Sequence, residues 1–285
     1  MTLKQAMAEA RAILAANDIE DAALESELLL RHALKISRVQ LYLDLNLELS
    51  PEQETTFWQL VNRRRDGKPA AYITGHREFY GLDFYVDPSV LIPRPESELL
   101  VEKTLELSRQ RPITKIADIG TGCGAIAISL ALNLPAVKIY ATDISASALK
   151  IALFNCQQHG VADKISLLRG DMLKPLPEPV DLIVANLPYV KDSELPRATP
   201  SGSEPVLALN GGMEGLEKIS RLCRQLSGKL RSQGCLLLEI GQGQVKPITA
   251  LLHSLFPSAR IEVSRDLGGV ERVVGLYFTG ELNPV

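Results

Sequence analysis

The chain has 285 residues, of which 46% are hydrophobic and 23% are charged, and its formal net charge at pH 7 is −3. This composition is typical of a globular protein and argues against a strongly basic nucleic-acid binder, although a local basic patch stays possible. The sequence contains neither a secretory signal nor a stretch that is apolar enough to cross a membrane, so we expect a cytoplasmic protein.

The first 70 residues have the hydrophobic spacing of helices. Ser50-Pro51-Glu52-Gln53 predicts a helix start, with Ser50 as the N-cap and Gln53 completing a capping box. That helix is expected to stop near Gly67, after Arg63-Arg64-Arg65. The three arginines fit a solvated helix end, which the helix dipole favours, or a surface that docks an acidic or RNA partner.

Aromatic and polar residues alternate around glycines between residues 71 and 90. This pattern predicts a β-hairpin that joins two domains. The following segment, 91–96, is expected to be extended because each of its prolines disfavours a helix at the residue before it. A helix is then expected over 96–109. Arg94 and Glu96 are compatible both with a plain connector and with the entrance of a substrate site.

From residue 113 onward, predicted strands and helices alternate, which indicates a mostly parallel sheet covered on both faces. Helices are expected near 125–133, 146–158, 213–230 and 245–256. The candidate strands are 115–119, 138–142, 164–168, 181–185, 235–240, 260–263 and 272–278. The last two are separated by a short gap and should pair in antiparallel fashion. The predicted fold class is therefore α/β: a Rossmann-like, seven-stranded methyltransferase domain (91–285), preceded by a small helical domain (1–70) and the hairpin linker (71–90).

The fourth predicted strand of this domain ends in Asn186-Leu187-Pro188-Tyr189. Open α/β sheets bind ligands at the carboxyl ends of their strands. The Asn186 amide oxygen and the Leu187 carbonyl can accept both hydrogens of a planar NH2 group, while the Tyr189 ring packs on its face and Pro188 fixes the turn. We therefore predict that these four residues bind an amine or amide nitrogen as a nucleophile, with Asn186 and Tyr189 as the catalytic residues.

A glycine-rich loop follows the first predicted strand of the same domain. Gly120 permits a tight turn, and Gly122 allows a ligand to approach the backbone. The loop ends at a helix N-terminus, which favours an anionic group. Asp143, at the end of the second strand, is placed to accept hydrogen bonds from ribose hydroxyls. On these residues alone, an adenosyl cofactor without a pyrophosphate, NAD and a purely structural turn all stay open.

Three further features favour the adenosyl cofactor. Gly124 adds a glycine typical of S-adenosylmethionine loops, Asp171 ends the third strand where it can accept from an adenine amino group, and the fourth strand ends in the turn described above. Asp171 is also compatible with capping a turn before Pro175. The predicted cofactor-binding residues are Gly120, Thr121, Gly122, Cys123, Gly124, Asp143, Asp171, Met172 and Asn186.

An ordered set of motifs from about Tyr72 to the C-terminus resembles the release-factor glutamine methyltransferases, the HemK/PrmC family. The matching segments are 72–75, 78–79, 92–98, 118–125, 143–145, 148–149, 186–189, 204–205, 208–209, 211–212, 215–216, 239–241, 244, 266 and 271–274. One position departs from the family pattern: Leu187 stands where proline is usual, so the φ restraint of proline is lost. Asn-Leu-Pro-Tyr is the form seen in rRNA adenine N6-dimethyltransferases, but the segments 93–96 and 204–216 resemble the glutamine family only.

The resemblance implies methyl transfer from S-adenosylmethionine to the side-chain amide nitrogen of the glutamine in the Gly-Gly-Gln motif of class I peptide-chain release factors. It also implies that residues 1–70 dock the release factor. No histidine or lysine stands near the turn as an obvious general base, so positioning should supply most of the acceleration. We expect a monomer that has no membrane partner and no direct sequence-specific nucleic-acid partner.

Two alternatives come from different classes of function. The first is an adenine N6-methyltransferase that acts on RNA or DNA. The second is a binding module that has lost activity, against which the intact set of Asp143, Asp171 and Asn186 argues. No metal site is predicted, because the four histidines are scattered and the four cysteines form no Cys-x-x-Cys pair. We interpret the cysteines as reduced, mostly buried thiols.

Overall fold

The computed structural model describes residues 1–195 and 204–280. The chain divides into two compact units: the first covers Met1–His76 and the second begins at Arg77. Within the described segments, we find no helix with the length and apolar character of a membrane span.

The first unit is helical, as the sequence predicts. Its helices are α1 (Leu3–Ala15), α2 (Ala22–Leu34), α3 (Arg38–Leu43), α4 (Pro51–Arg65) and α5 (Ala70–Thr74). The predicted capping box at the start of α4 is confirmed: the Ser50 hydroxyl accepts from the Gln53 backbone N–H, and the Gln53 side chain accepts from that of Ser50. Thr2 and Gln5 form the same arrangement at the start of α1. Apolar side chains from these helices share one core, centred on Leu14, Leu29 and Phe57.

The predicted hairpin is present but shorter than expected. Residues 70–74, part of which was predicted to lie in the hairpin, form the helix α5, which ends at Gly75 with a positive φ of 77°. The hairpin itself consists of β1 (His76–Phe79) and β2 (Leu82–Tyr85). Tyr80 and Gly81, both with positive φ, form its two-residue loop.

The second unit contains a seven-stranded sheet, which confirms the predicted fold class. Its strands are β3 (Lys115–Ile119), β4 (Lys138–Asp143), β5 (Ile165–Arg169), β6 (Val180–Ala185), β9 (Leu230–Glu239), β10 (Arg260–Arg265) and β11 (Glu271–Tyr277). A separate two-stranded sheet pairs β7 (Val190–Lys191) with β8 (Asn210–Gly212). The helices of this unit are α6 (Glu98–Gln110), α7 (Ala125–Asn133), α8 (Ala146–Gln158), α9 (Val206–Leu209), α10 (Glu217–Cys223) and α11 (Val245–Leu255).

The strand order in the large sheet is β10-β11-β9-β6-β3-β4-β5. β4 and β6 lie on either side of β3 and run parallel to it, so the direction of winding reverses at this point. The crevice at such a switch point is where open α/β sheets bind ligands. β11 is antiparallel to both β9 and β10, as predicted for the last two strands.

Two predicted boundaries in the second unit were wrong. The helix expected over 213–230 is only the short α10, and Gly215 and Gly228, which lie within the predicted span, have positive φ that an α-helix does not adopt. The strand expected from residue 235 begins at Leu230, where it pairs with Val180. A register irregularity in this pairing, together with a positive φ at Gln233, interrupts the alternation that would have revealed the earlier start.

Candidate functional site

The Asn186-Leu187-Pro188-Tyr189 turn follows β6 at the carboxyl edge of the sheet. Asn186, Leu187 and Pro188 line a cavity of about 500 Å³. The Leu187 side chain is only 5% exposed and packs under the glycine loop, since a Cβ placed on Gly120 would lie 3.4 Å from Leu187 Cδ2. Leu187 is therefore part of the hydrophobic core of the second unit.

The backbone of Tyr189 is enclosed by two glycines from the segment around β8. A Cβ on Gly211 would lie 2.7 Å from Tyr189 Cα, and one on Gly215 would lie 2.4 Å from the Tyr189 carbonyl oxygen. Gln244 Nε2 donates to that same oxygen over 3.0 Å. The sequence analysis included these residues only among the motifs that match the family. In the structure they contact Tyr189 and hold the end of the turn in place.

The Asn186 side chain has a defined orientation. Its Nδ2 atom donates a hydrogen bond of 2.9 Å to Ser97 Oγ. Ser97 is buried at the end of the 3-10 turn Pro95–Ser97, within the proline-rich segment. Because the nitrogen and oxygen of an amide point in different directions, Oδ1 is directed away from Ser97 and remains able to accept.

Glu239, the last residue of β9, is a buried carboxyl group beside this amide, with 2% exposure. Burial raises its pKa to about 7, while hydrogen bonding from the Ser97 and Asn186 side chains and the charge of Arg272 act in the opposite direction. Its Oε2 atom is buried without a hydrogen-bond partner among the described residues. Sequence reasoning did not single out Glu239 or Ser97 as site residues.

Tyr189 does not line the cavity with the other residues of the turn. Its ring approaches Gly241, whose added Cβ would lie 3.0 Å from Tyr189 Cδ2. Burial, reinforced by the nearby charge of Glu239, raises the pKa of its phenol to about 12. The hydroxyl is therefore neutral at physiological pH and can act as a hydrogen-bond donor.

Two ion pairs join the proline-rich segment to other parts of the second unit. Arg94 Nη2 lies 2.5 Å from Glu204 Oε2, and Glu204 Oε1 accepts from the Ile92 backbone N–H over 3.0 Å. Glu96 lies 3.8 Å from Arg272. These contacts fix the segment that carries Ser97, so Arg94 and Glu96 have a structural role here.

The glycine loop after β3 and the end of β4 form another wall of the cavity. Gly120 and Gly122 have φ of 76° and 56°, which favour glycine. Asp143 Oδ2 accepts from the Gly122 backbone N–H over 3.0 Å, and its Oδ1 accepts from that of Ser145 over 2.8 Å. Ser145 caps α8, as predicted. Gly120, Gly122 and Asp143 all line the cavity, and burial raises the pKa of Asp143.

Three of the predicted cofactor residues, Thr121, Cys123 and Gly124, do not line this cavity. They stabilise the glycine loop through contacts within the protein. The Thr121 hydroxyl donates to Asp118 Oδ2 over 2.7 Å. The carbonyl of Cys123 accepts from Asn155 Nδ2, and Gly124 caps α7 with a φ of 86°. All four cysteines are free and buried, as predicted, and burial raises the pKa of each thiol.

Asp171 and Met172, after β5, both line the cavity. Although burial opposes it, hydrogen bonds from Lys174 and Arg221 lower the pKa of Asp171 below its usual value. Arg221 lies 2.6 Å and Lys174 2.9 Å from Oδ2. The side-chain hydrogen bonds and ion pairs of Asp171 with described residues are all made by Oδ2, with Lys174, Arg221 and Gln225, and none of them is the turn cap that the sequence left open as an alternative.

The cavity is completed by residues 88–91 and by side chains around α9 and α10, including Lys218 and Arg221. The described residues contain no group of three or more His, Cys, Asp or Glu side chains that could hold a metal ion. The arrangement thus combines a glycine loop, an acid at each of two strand ends and an acceptor-bearing turn around a single cavity.

Comparison with known proteins assigns the chain to a family. Residues 5–75 match the model of the PrmC N-terminal domain, and residues 95–200 match that of the methyltransferase small domain. A release factor glutamine methyltransferase of Moorella thermoacetica is 44% identical over 97% of this chain and 99% of its own length. A Koribacter versatilis protein of the same name is 38% identical over 96% of this chain and 98% of its own.

The chain belongs to the release factor glutamine methyltransferase family. The resemblance seen in the motifs is therefore confirmed. Among solved structures, a methyltransferase from Pyrococcus furiosus has a TM-score of 0.52 at 20% identity, covering 70% of this chain and 90% of that one. At this identity the similarity shows the fold alone, and it is the fold expected of a release factor glutamine methyltransferase.

Proposed function

We propose that this chain transfers a methyl group from S-adenosylmethionine to the side-chain amide nitrogen of the glutamine in the Gly-Gly-Gln motif of class I peptide-chain release factors. The nearly full-length similarity to proteins named release factor glutamine methyltransferase supports this substrate. The orientation of Asn186 carries the chemical side of the proposal: its amide nitrogen is occupied by Ser97, so its oxygen is left to accept from a bound amide.

The residues around the cavity fit the proposed cofactor. A Cβ on Gly122 would meet nothing within 4 Å, so the glycine leaves open space next to the backbone at the cavity wall. Both oxygens of Asp143 accept from backbone N–H groups, which fixes the carboxyl group, and the carboxylate has further acceptor capacity for a ribose hydroxyl. Asp171 and Met172 would contact the adenine. When bound, S-adenosylmethionine would supply the electrophilic methyl group: its methyl–sulfur bond breaks as the new nitrogen–carbon bond forms, S-adenosylhomocysteine is released, and the amide nitrogen gives up one of its two protons.

The amide nitrogen of glutamine is a poor nucleophile because its lone pair is delocalised into the carbonyl. Asn186 Oδ1 and the Leu187 carbonyl would accept its two hydrogens, which aims the nitrogen and favours the positive charge that develops on it. Pro188 restricts the turn, and Tyr189 would pack on the amide plane. These residues act by positioning, and residues 1–70 would provide a docking surface for the release factor.

The decisive experiment is to incubate the protein with methyl-labelled S-adenosylmethionine and a purified class I release factor. Mass spectrometry should map the label to the glutamine of the Gly-Gly-Gln motif. A release factor in which that glutamine is replaced by alanine is the matched control and should take up no label.

The same assay separates the other candidate functions. Label that enters RNA or DNA and survives protease would indicate an adenine methyltransferase. Cofactor binding in a titration, without transfer to either class of acceptor, would indicate a binding module. Label in the release factor that survives nuclease treatment would support the proposed function.

A further inference from the structure

Glu239 and Asn186 lie side by side at the carboxyl ends of two adjacent parallel strands, β9 and β6. Ala185 of β6 is paired with Leu238 of β9, so the next residue on each strand lies at the same level of the carboxyl edge. Glu239 is 2% exposed there. A buried carboxyl group at the ligand-binding edge of a sheet costs stability and needs an explanation that packing does not provide.

Ser97 interacts with both side chains, and Asn186 also hydrogen-bonds to Glu239 directly. The Ser97 oxygen accepts a hydrogen bond of 2.9 Å from Asn186 Nδ2, which leaves its own hydrogen free to be donated. Hydrogen bonding from Ser97 to Glu239 favours the charged form of the carboxyl group. The three groups can therefore form a chain that runs from the Asn186 amide through the Ser97 hydroxyl to the Glu239 carboxylate, alongside the direct hydrogen bond from Asn186 to Glu239.

The direction of this chain decides which end of the Asn186 amide faces the substrate. A carboxylate can only accept, so Ser97 must donate to it and offer a lone pair to Asn186. The NH2 group then faces Ser97, and Oδ1 faces the other way. The two ends of an amide have almost the same shape, so packing alone does not distinguish them and a hydrogen-bonding partner must.

We propose that Glu239 is a positioning residue for the methyl transfer: by accepting hydrogen bonds from Ser97 and from Asn186, it holds the Asn186 amide with its nitrogen toward Ser97 and its oxygen toward the substrate. This inference rests on the proposed function, in which Asn186 Oδ1 accepts from the substrate amide. Neither Ser97 nor Glu239 touches the reacting atoms in this scheme.

Protonation of Glu239 removes the constraint, because a carboxylic acid can donate to Ser97 and allow the chain to reverse. The other charged or titratable groups that face this carboxyl group are Arg272, Glu96 and Tyr189. Arg272 favours the charged form and Glu96 opposes it. With a pKa of about 7, the carboxyl group is charged above neutrality and loses its charge as the pH falls. Transfer should therefore slow on the acid side of pH 7.

A double-mutant cycle tests whether Glu239 acts through Ser97. Glu239→Gln keeps the shape of the side chain and should lower kcat by about 10- to 100-fold, with cofactor affinity and Tm maintained. Ser97→Ala should have a similar effect. In the double variant the losses should add only in part, because both changes break the chain through Ser97 and only the Glu239 change also alters the direct hydrogen bond from Asn186. Glu178→Gln, a carboxyl replacement in the loop before β6, is the matched control and should keep the activity of the wild type.

The pH profile provides a readout that a purely structural role would not change. The wild type should lose kcat below pH 7, and Glu239→Gln should lack this acid limb. Asp118 also has a pKa of about 7 but is unchanged in the variant, so the difference between the two profiles reports Glu239. Wild-type kcat and an unaltered profile in Glu239→Gln, or losses that add fully in the double variant, would overturn the proposal.

A measurement without substrate separates this inference from the proposed function. The side-chain 15N–1H signals of Asn186, assigned by their absence in Asn186→Ala, should shift with a midpoint near pH 7 in the free enzyme and stay constant in Glu239→Gln. Signals that do not titrate in the wild type overturn the positioning role. If they titrate as expected and no release factor is methylated, only the proposed substrate is overturned.

Discussion

Asn186 Nδ2 and Ser97 Oγ are joined by a hydrogen bond of 2.9 Å across 89 positions of sequence. This contact explains why a proline-rich segment far from the Asn-Leu-Pro-Tyr turn belongs to the site. The prolines and the Arg94–Glu204 ion pair fix the segment, and the segment fixes Ser97. The orientation of the amide at the centre of the site thus depends on a residue that contributes no group to the cavity.

Replacement of Asn186 by alanine should lower kcat for methyl transfer by at least about 100-fold, since it removes one of the two acceptors for the substrate amide. Cofactor affinity, measured by calorimetry, should fall much less. The matched control is Asn133→Ala at the exposed end of α7, which should retain wild-type kinetics. Near-normal methylation by the Asn186 variant would refute the assigned role.

Gly211→Ala should displace the turn, because the new Cβ would lie 2.7 Å from Tyr189 Cα. Contacts this short force the backbone to move, at a cost in stability of about 1–3 kcal/mol. We expect a lower Tm and a loss of methyl transfer that exceeds the loss of folded protein at the assay temperature. Gly280→Ala, where the added atom meets nothing within 4 Å, should change neither quantity. Equal behaviour of the two variants would argue against backbone packing at Tyr189.

Asp143→Ala should weaken binding of S-adenosylmethionine by about 10- to 100-fold, because hydrogen bonds to a charged acceptor are worth roughly 1.5–3 kcal/mol. Calorimetric titration measures this directly and needs no release factor. Asp163→Ala is the matched control: it removes an exposed aspartate that does not line the cavity, and it should bind the cofactor normally. If Asp143→Ala binds S-adenosylmethionine with unchanged affinity, the ribose does not bind to Asp143.

Asp118 gives a prediction about stability and pH. Burial raises its pKa from the usual 3.8 to about 7. The folded state therefore keeps a proton that the unfolded state has released, and the stability that this provides is complete below about pH 4 and lost as the pH rises through about 7. Asp118→Asn removes the charge and keeps an acceptor for Thr121, so its Tm should exceed that of the wild type at pH 8. The gap should close toward pH 4. Thermal unfolding at several pH values measures this difference in Tm between the variant and the wild type. A difference that does not change with pH would contradict the raised pKa of Asp118.

The parts of the fold that depend on local pattern were predictable. β3, α7 and α8 have the predicted bounds, because apolar strands, a glycine loop and the Ser145 cap mark them in the sequence. The boundaries of α10 and β9 were not, since backbone conformation at Gly215 and Gln233 overrides the periodicity. The roles of the predicted cofactor and substrate residues stay predictions, as do the domain limits, the monomeric state and the cytoplasmic location.

The positioning residues could not be found by local pattern, because hydrogen bonds between distant segments leave no periodic trace. One signal was nevertheless present. Glu239 ends an apolar strand in the same way that Asn186 does, and acidic residues at the carboxyl ends of parallel strands meet at the ligand-binding edge. Ser97 carried no comparable signal, since a serine before a helix is most simply explained as a cap.

The contact between Gly120 and Leu187 joins the two halves of the reaction site. A Cβ added to Gly120 would lie 3.4 Å from the Leu187 side chain and 3.6 Å from the Asn186 carbonyl oxygen. The glycine loop and the Asn186 turn are therefore packed closely enough that a shift of one disturbs the other. A ligand that stabilises the glycine loop should therefore also stabilise the Asn186 turn. By thermodynamic reciprocity, a ligand that stabilises the turn should stabilise the loop to the same extent. The cofactor and the protein substrate should accordingly bind cooperatively, each raising the affinity for the other by the same factor.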